Sequence, residues 1–492
     1  MNQADPKKGF FSKRHIWGLP LAFLVLIGLL MLPVPNGLNP QGYMLLVVLA
    51  FMLVIWVTES INYPTSSIVL IVTMTLTLGF SLEKGKLIGT SKGLTMALSG
   101  FSSTAWILVT AALFIAAAIE KSGLGKRIGM SILGLVGARS NQVRFRFILM
   151  AFILSLFIPA QAANAALMTA IAVGVIQAYN LNPKGNMAKS LLIIVAFGTG
   201  IAGMGILTSG APPIQTAKYI ADATGYKISW LEWAMYGLPF AISVAIVLYF
   251  LVTKFFPPEM DEMPGGKEAI KERLKKLGKI SAQERNLLII MVLTIALWAT
   301  GDHLHKIDSS TVALLTVVAI FFPPFKIANW KDLVGTVNWG TLMLFGGAIS
   351  LGTSLLSTGA AAWVAKNTII ALGIAQWPIL AIVAVGSLFF AIFSLAFSAR
   401  SAAVAALVPV AIGLAQALGN GVNVWGLTLI LYYSIQFSVI MPVNTPMSMV
   451  AYSTDTFSVS DMMKVGIPLV ISAIILATIF SATYWSWLGL VK

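Results

Sequence analysis

The sequence predicts an all-helical protein that crosses a membrane many times, and three observations lead to this fold class. The chain of 492 residues is 58% hydrophobic and only 10% charged, whereas a soluble domain carries roughly 25% charged residues. Stretches such as 93–119 and 147–183 contain no Asp, Glu, Lys or Arg, and each is long enough to span a bilayer as a helix. The basic residues lie in the connections between apolar runs, the positive-inside pattern of membrane proteins.

Counting apolar runs from the N-terminus gives the transmembrane helices in order. Lys7, Lys8, Lys13 and Arg14 precede the first run without a convincing cleavage site, so we expect a retained first helix with a cytoplasmic N-terminus in a bacterial inner membrane. Eleven spans are predicted near 17–33, 42–59, 64–81, 103–120, 190–217, 230–253, 286–301, 309–325, 338–365, 424–452 and 464–488.

Two further apolar stretches, 147–180 and 377–418, are too long for one simple span and are interrupted by small and polar residues. We interpret each as a re-entrant helical hairpin that enters and leaves the membrane on one side. If the hairpins do not cross, the loops 121–146 and 254–285 lie in the cytoplasm, where Lys and Arg are concentrated. The second loop is expected to be partly helical, with a basic surface that meets lipid headgroups.

The two halves of the chain resemble each other in the order of their elements. Each half has a helix that ends in a small-residue turn, then a hairpin, then a span interrupted by proline. This order predicts two inverted repeats, the architecture of secondary transporters. The matching pairs are Gly123 with Gly359, Ala165-Ala166-Leu167 with Ala405-Ala406-Leu407, and Pro212 with Pro446.

Arg400 is the only charged residue between Asn367 and Thr454. An arginine at the centre of a membrane segment costs at least about 2.5 kcal/mol, so it should face a polar cavity. Its guanidinium is always charged and its planar fork suits a carboxylate or phosphate. The alternative is an arginine that reaches the interface or braces carbonyls at a hairpin tip.

The prolines at 212–213 and 446 predict that each interrupted span splits into two half-helices. A half-helix that starts at the break offers free N–H groups and a positive dipole end to an anion. The alternatives are a packing kink for each proline and a helix–helix hydrogen bond for each nearby polar residue. The predicted substrate-binding residues are Gln161, Asn164, Thr208, Ser209, Ser398, Arg400, Ser401, Asn444, Thr445 and Pro446.

Other functions are less well supported by the sequence. The basic residues do not cluster on a folded surface, which argues against nucleic acid. The expected cavity segments contain no Asp, Glu, His or Cys, so a membrane-embedded enzyme would lack its acid, base or nucleophile. No metal or cofactor is predicted: His303 and His305 fall in a loop without identifiable partner ligands, and Glu59 is interpreted as a structural residue at a helix end. A channel is a further alternative. A transport rate that saturates at enzyme-like turnover would argue against it.

Three segments resemble the divalent anion/sodium symporter family, which includes the INDY-type carriers and the bacterial citrate/succinate and 2-oxoglutarate/malate exchangers. They are Trp56 to Pro64, similar to that family's Trp-x-Thr-Glu-x-x-x-x-Pro segment; Gly210 to Pro213, similar to its Gly-Thr-Pro-Pro; and Met441 to Pro446 followed by 461–466. The resemblance implies a homodimer whose protomers carry a dicarboxylate by an elevator motion.

In that arrangement each protomer has a fixed scaffold and a mobile transport part. The scaffold would comprise residues 1–120 and 286–365, and the transport part 121–253 and 366–492, with the basic loop 254–285 between them. The resemblance also has a departure. Family members coupled to sodium have Ser-Asn-Thr at both hairpin tips, and this chain has Ala160-Gln161-Ala162 and Arg400-Ser401-Ala402.

The missing signatures favour one of two mechanisms. A sodium site needs several oxygen ligands, and here the side-chain oxygens are fewer while a fixed cation, Arg400, has appeared. We therefore expect a sodium-independent exchanger of succinate, malate or 2-oxoglutarate. The alternative is a sodium-coupled dicarboxylate or sulfate symporter of the same fold that uses backbone carbonyls.

Overall fold

The computed structural model describes residues 10–83, 85–135, 139–264, 266–419 and 421–491. Helices form almost all of the regular structure in these residues, and ten of the described helices are long and apolar enough to cross a membrane. The predicted all-helical, polytopic class is therefore confirmed. The N-terminal Lys7 and Lys8 lie outside the described residues.

Eleven helices and one small hairpin precede the basic loop. The two strands of the hairpin, β1 (Leu82–Glu83) and β2 (Lys86–Leu87), pair antiparallel between α3 and α4. The helices are α1 (Phe10–Leu30), α2 (Pro40–Thr58), α3 (Tyr63–Gly79), α4 (Thr90–Leu98), α5 (Thr104–Ser122), α6 (Leu124–Gly134), α7 (Ser140–Phe157), α8 (Gln161–Ala178), α9 (Asn186–Met204), α10 (Ala211–Thr224) and α11 (Trp230–Phe255).

The basic loop and the second half contain the remaining helices. Short turns of tighter or wider helix occur here at Gly301–His305, Ile374–Gln376 and Pro442–Asn444, and in the first half at Ser99–Ser102 and Leu207–Ser209. The helices are α12 (Gly266–Lys276), α13 (Ala282–Thr300), α14 (Ser309–Phe321), α15 (Trp330–Val334), α16 (Trp339–Ser357), α17 (Ala360–Leu372), α18 (Ile379–Ser394), α19 (Arg400–Ala417), α20 (Val424–Ile435), α21 (Pro446–Tyr452), α22 (Val459–Ala482) and α23 (Tyr484–Trp487).

Two long helices, α11 and α22, show the internal repeat in detail. In α11 the Ser229 hydroxyl accepts from the Glu232 N–H while the Glu232 carboxylate accepts from the Ser229 N–H. In α22 Ser458 and Asp461 form the same reciprocal box, 229 positions later. Each helix also contains an internal proline at the same distance from its box. A capping box fixes where a helix begins, so the two helices start in the same way.

Helices of the first half of the chain also pack against helices of the second half. The half-helix α10 of the first half packs against α19 of the second, and α21 of the second half packs against α8 of the first. The helices α11 and α22 pack against each other. Such reciprocal contacts follow from an approximate twofold relation between the halves, as the repeated sequence order predicts.

The structure differs from the predicted spans at several helix ends. The stretch 338–365 is two helices, because the chain turns at Gly359 with φ of +73°, a conformation that glycine adopts readily. The small-residue turn at Gly359, which the repeat comparison pairs with Gly123, marks this break in the sequence. The loop predicted at 121–146 also contains α6 and the first turns of α7, so that Arg144 and Arg146 are buried within a helix.

One arginine holds the C-terminal end of the basic loop against the body of the protein. Arg127 of α6 donates from Nε to the Glu284 carboxylate at 2.8 Å, and its other nitrogens donate to the carbonyls of Leu277 and Gly278. Glu284 lies in the first turn of α13 and also belongs to its capping box. The end of the loop is thus held between α6 and α13, and α12 is helical as predicted.

Gly413 of α19 packs closely against the backbone of α17. A Cβ atom at this position would lie 2.4 Å from the Ala361 carbonyl oxygen, so we expect Gly413→Ala to destabilise the protein by about 1–3 kcal/mol through overpacking. The measurement is the thermal unfolding midpoint of the detergent-purified protein. Gly28→Ala is the matched control, because no atom lies within 4 Å of its added Cβ; equal midpoints for the two variants would contradict the predicted close packing.

Candidate functional site

Both hairpins turn through a short extended segment. Ala160 before α8 has φ of −147°, and Ala399 before α19 has φ of −116°. Neither alanine can cap the helix that follows, and neither helix has a side-chain cap. Since the first N–H groups of a helix have no intrahelical partner, the starts of α8 and α19 keep donors for a ligand.

The interrupted spans break as the prolines predict. The first breaks between α9 and α10, and α10 starts at Ala211 without a side-chain cap. The second breaks between α20 and α21, and here Thr445 caps the new helix by accepting from the Ser448 N–H at 3.1 Å. Thus only the second break has a side-chain cap, but Pro212 and Pro213 have no N–H, so the start of α10 offers few free donors even without a cap.

A cavity of about 480 Å³ lies where these four helix starts meet. One wall consists of both hairpin tips and the first residues of α10 and α21. The opposite wall comes from α3, α5 and the start of α16. The cavity therefore lies between the predicted transport and scaffold parts, where a carried solute would have to bind.

The structure separates the ten predicted site residues into two groups. Gln161, Arg400, Ser401 and Pro446 line the cavity. The other six are not among its lining residues, and they make structural contacts instead. These six are Asn164, Thr208, Ser209, Ser398, Asn444 and Thr445.

Three of these six residues form hydrogen bonds with backbone groups that the helix breaks and hairpin tips leave without helical partners. The Asn444 side-chain amide donates to the Leu395 carbonyl in the second hairpin at 2.7 Å. The Ser209 hydroxyl donates to the Gly203 carbonyl at 2.7 Å, and Thr445 caps α21. Unpaired backbone groups are expensive to bury, so polar side chains near a break have this task as well as ligand binding.

The other three connect helices. The Thr208 hydroxyl accepts from the Trp230 indole at 3.1 Å, and the Asn164 amide donates to Ser155 at 3.0 Å within the first hairpin. Ser398 shares a hydrogen bond with the hydroxyl of Tyr63. The last contact joins the second hairpin tip to the opposite wall of the cavity.

Arg400 connects the two hairpin tips. Its side chain is 5% exposed, and Nη1 donates to Gln161 Oε1 at 3.2 Å. Both side chains pack against glycines of α9: a Cβ on Gly200 would lie 2.7 Å from Arg400 Nη2, and one on Gly203 would lie 2.2 Å from Gln161 Nε2. The glycines of α9 thus provide the space that the pair needs.

Sequence reasoning missed the opposite wall, including one acidic residue. Glu120, at the end of α5, lines the cavity and is exposed, so the expectation that the cavity segments contain no Asp or Glu was wrong. Beside it, Lys121 pairs with Asp332 at 3.1 Å. The Asn329 backbone N–H, and then Lys121, hold the pKa of Asp332 below its usual value. The adjacent Glu120-Lys121 pair at a predicted span end was the available signal.

Glu59 and His305, also considered from the sequence, are not among the residues that line the cavity. Glu59 is the C-cap of α2, and its backbone has a left-handed conformation. His305 accepts from the Ile307 N–H through Nδ1 at 3.1 Å. Among the described residues there is no group of three or more His, Cys, Asp or Glu that could hold a metal ion. The side chain of His303 lies outside the description.

Comparison with known proteins identifies the family. The family model described as "Sodium:sulfate symporter transmembrane region" matches residues 13–491. A protein described only as "Membrane protein" from Cupriavidus necator is 38% identical over 96% of this chain and 93% of its own length. The sodium-dependent dicarboxylate transporter SdcS of Staphylococcus aureus (strain USA300) is 26% identical over 96% of this chain and 91% of its own length.

Solved structures support the same fold. The YdaH transporter of Alcanivorax borkumensis aligns with a TM-score of 0.52 at 13% identity, covering 85% of this chain and 97% of the other. MtrF of Neisseria gonorrhoeae aligns with a TM-score of 0.57 at 15% identity, covering 85% and 95%. With a family model that matches nearly all of its length, the chain belongs to the sodium:sulfate symporter family, the divalent anion/sodium symporters, and is a multi-pass membrane transporter and not an enzyme.

Proposed function

We propose that the protein is a secondary transporter of small dicarboxylates, of the succinate, malate and 2-oxoglutarate class, which it exchanges without sodium. The observation that carries this proposal is the position of Arg400 on a cavity that also receives the uncapped starts of α8 and α19. A permanent cation and several free N–H donors at one place favour an anion with more than one charge. The staphylococcal relatives are named as dicarboxylate transporters, which supports this solute class.

The tip residues support sodium independence. Gln161 offers its one carbonyl oxygen to Arg400, so this oxygen already has a cationic partner. A sodium ion at the same tips would need several other oxygen ligands and would be repelled by the guanidinium. In our proposal Arg400 supplies the positive charge that sodium supplies in coupled relatives.

The transport cycle that we propose is an elevator motion in a homodimer. Residues 121–253 and 366–492 would carry the solute past the scaffold, residues 1–120 and 286–365, with re-entrant hairpins closing the site. The position of the cavity between these two sets of helices supports this division. The empty carrier, with its cation uncompensated, would cross slowly, so that transport becomes exchange. The N-terminus would face the cytoplasm of a bacterium.

A second candidate is a sodium-coupled dicarboxylate or sulfate symporter. The description of the matching family as sodium:sulfate symporters and the name of the staphylococcal relatives as sodium-dependent favour it. Backbone carbonyls at the two breaks, between α9 and α10 and between α20 and α21, could then replace the missing side-chain oxygens.

Counterflow in proteoliposomes separates the two candidates. With unlabelled succinate inside, we expect labelled succinate to enter equally fast in sodium, potassium and choline buffers, because no sodium ion is needed for binding. Empty vesicles under an inward sodium gradient should not accumulate label. Accumulation in those vesicles would refute exchange and establish the symporter. Vesicles without protein are the control for leakage.

A further inference from the structure

Arg400 has two nitrogens without a hydrogen-bond partner. Nη1 donates to Gln161, but Nε and Nη2 are buried and unpartnered. A guanidinium has five N–H donors in a fixed plane, so its remaining edge presents unused donors to the interior of the protein. An unsatisfied buried donor costs about 1–3 kcal/mol, and more for a charged group.

Other unpartnered groups lie on the neighbouring helix. The hydroxyl of Tyr432 and both amide atoms of Gln436 are buried without hydrogen-bond partners, and the two residues are 0% and 2% exposed. They are one helical turn apart at the end of α20 and so share a face. The helix α20 packs against α19, and Tyr432 interacts electrostatically with Arg400.

The positive charge also lacks a fixed counter-charge. None of the ion pairs among the described residues involves Arg400. Burying an unpaired ion costs several kcal/mol even after relaxation. The guanidinium edge, a phenol and a side-chain amide all provide donors. An uncompensated cation with unused donors fits an anion and not a metal ion.

We infer that Arg400, Tyr432 and Gln436 form a subsite for a small monovalent anionic group. Two sources share this chemistry: a halide ion such as chloride, or one carboxylate of the transported solute. The second source rests on the proposed function, and the first does not. The group is small, because the unpartnered atoms are almost completely enclosed.

Chloride binding to the full-length protein in detergent tests the inference. We expect saturable broadening of the chloride NMR signal by the wild-type protein, at constant ionic strength with gluconate as the replacement anion. Tyr432→Phe removes a single hydroxyl and Gln436→Leu removes the amide. Each should weaken chloride binding roughly tenfold or more, since a hydrogen bond to an ion is lost.

Tyr433→Phe is the matched control. Its hydroxyl is also buried and unpartnered, and its ring packs against Trp233 as the Tyr432 ring does. The Tyr433 hydroxyl lies against α11, where a Cβ on Gly237 would be 2.8 Å from it. This variant should bind chloride as the wild type does. A bromide-dependent rise of the unfolding midpoint, present in the wild type and absent in Tyr432→Phe, provides a second readout that also reports whether each variant is folded.

Adding succinate distinguishes the two sources. If succinate abolishes the chloride broadening, a solute carboxylate occupies the subsite; if broadening persists, the subsite belongs to the halide, and both outcomes support it. Equal broadening by the wild type, Tyr432→Phe and Gln436→Leu, or none by the wild type with succinate binding unchanged in Tyr432→Phe, overturns the inference. Failure of succinate counterflow with chloride broadening retained would reject the proposed function and leave the subsite standing.

Discussion

Arg400→Ala should abolish the thermal stabilisation of the protein by dicarboxylates and its exchange of them. Arg400 lines the cavity, and no ion pair among the described residues gives it a carboxylate partner. Truncating one member of a buried, hydrogen-bonded charge pair costs ~2–5 kcal/mol, which corresponds to a loss of affinity of at least about thirtyfold. The measurement is a thermal-shift screen of succinate, malate, 2-oxoglutarate, citrate and sulfate, with and without sodium.

Two further variants make this screen specific. Arg400→Lys keeps the charge but loses the planar fork, so it should retain part of the shift. Arg285→Ala removes one exposed positive charge from the start of α13, and it should leave the shift unchanged. A full dicarboxylate shift in Arg400→Ala would exclude this residue from the site. A shift that requires sodium in the wild type would favour the symporter.

Gly352→Ala should slow exchange at least roughly fivefold, because a clash of ~1–3 kcal/mol would oppose the position that the transport part occupies in this structure. A Cβ on Gly352 would lie 2.2 Å from the ring of Tyr219. Tyr219 belongs to α10 and donates to the Ala348 carbonyl of α16 at 2.6 Å. In the proposed elevator motion this contact lies between the moving and the fixed helices. Initial rates of succinate counterflow provide the measurement.

Removing the Tyr219 ring should relieve the clash with the Cβ of Ala at position 352. Tyr219→Ala in the Gly352→Ala background removes the ring, so the double variant should recover part of the lost rate. Gly335→Ala is the control, because no atom lies within 4 Å of its added Cβ. Equal rates for Gly352→Ala and Gly335→Ala would show that the contact does not limit the motion.

The sequence predicted the hairpins and breaks well because local chemistry determines them. The hairpin predicted at 377–418 appears as α18 and α19, and its tip lies at the small and polar residues that interrupt the apolar run. The prolines at 212 and 446 each fall in the first turn of a new half-helix. Proline cannot continue a helical hydrogen-bond ladder, so a break at each of them follows from the residue type alone.

Which polar residues face the cavity could not be predicted in the same way. Asn444 and Ser209 stand beside the breaks, as a ligand-binding residue would, but they donate to backbone carbonyls. A break creates both the binding site and the unpaired backbone groups that need side-chain partners. Sequence position alone does not separate these tasks. Glu120 and Tyr63 reach the cavity from helices far away in the chain, and only tertiary packing places them there.

The reciprocal packing of the two halves has a consequence for synthesis of the chain. When the ribosome has released only the residues up to the basic loop, α10 has no α19 to pack against and α8 has no α21. The first half would then leave its polar interruption unburied until the second half is inserted. The packing of α8 and α10 is therefore completed only when the helices of the second half have been inserted.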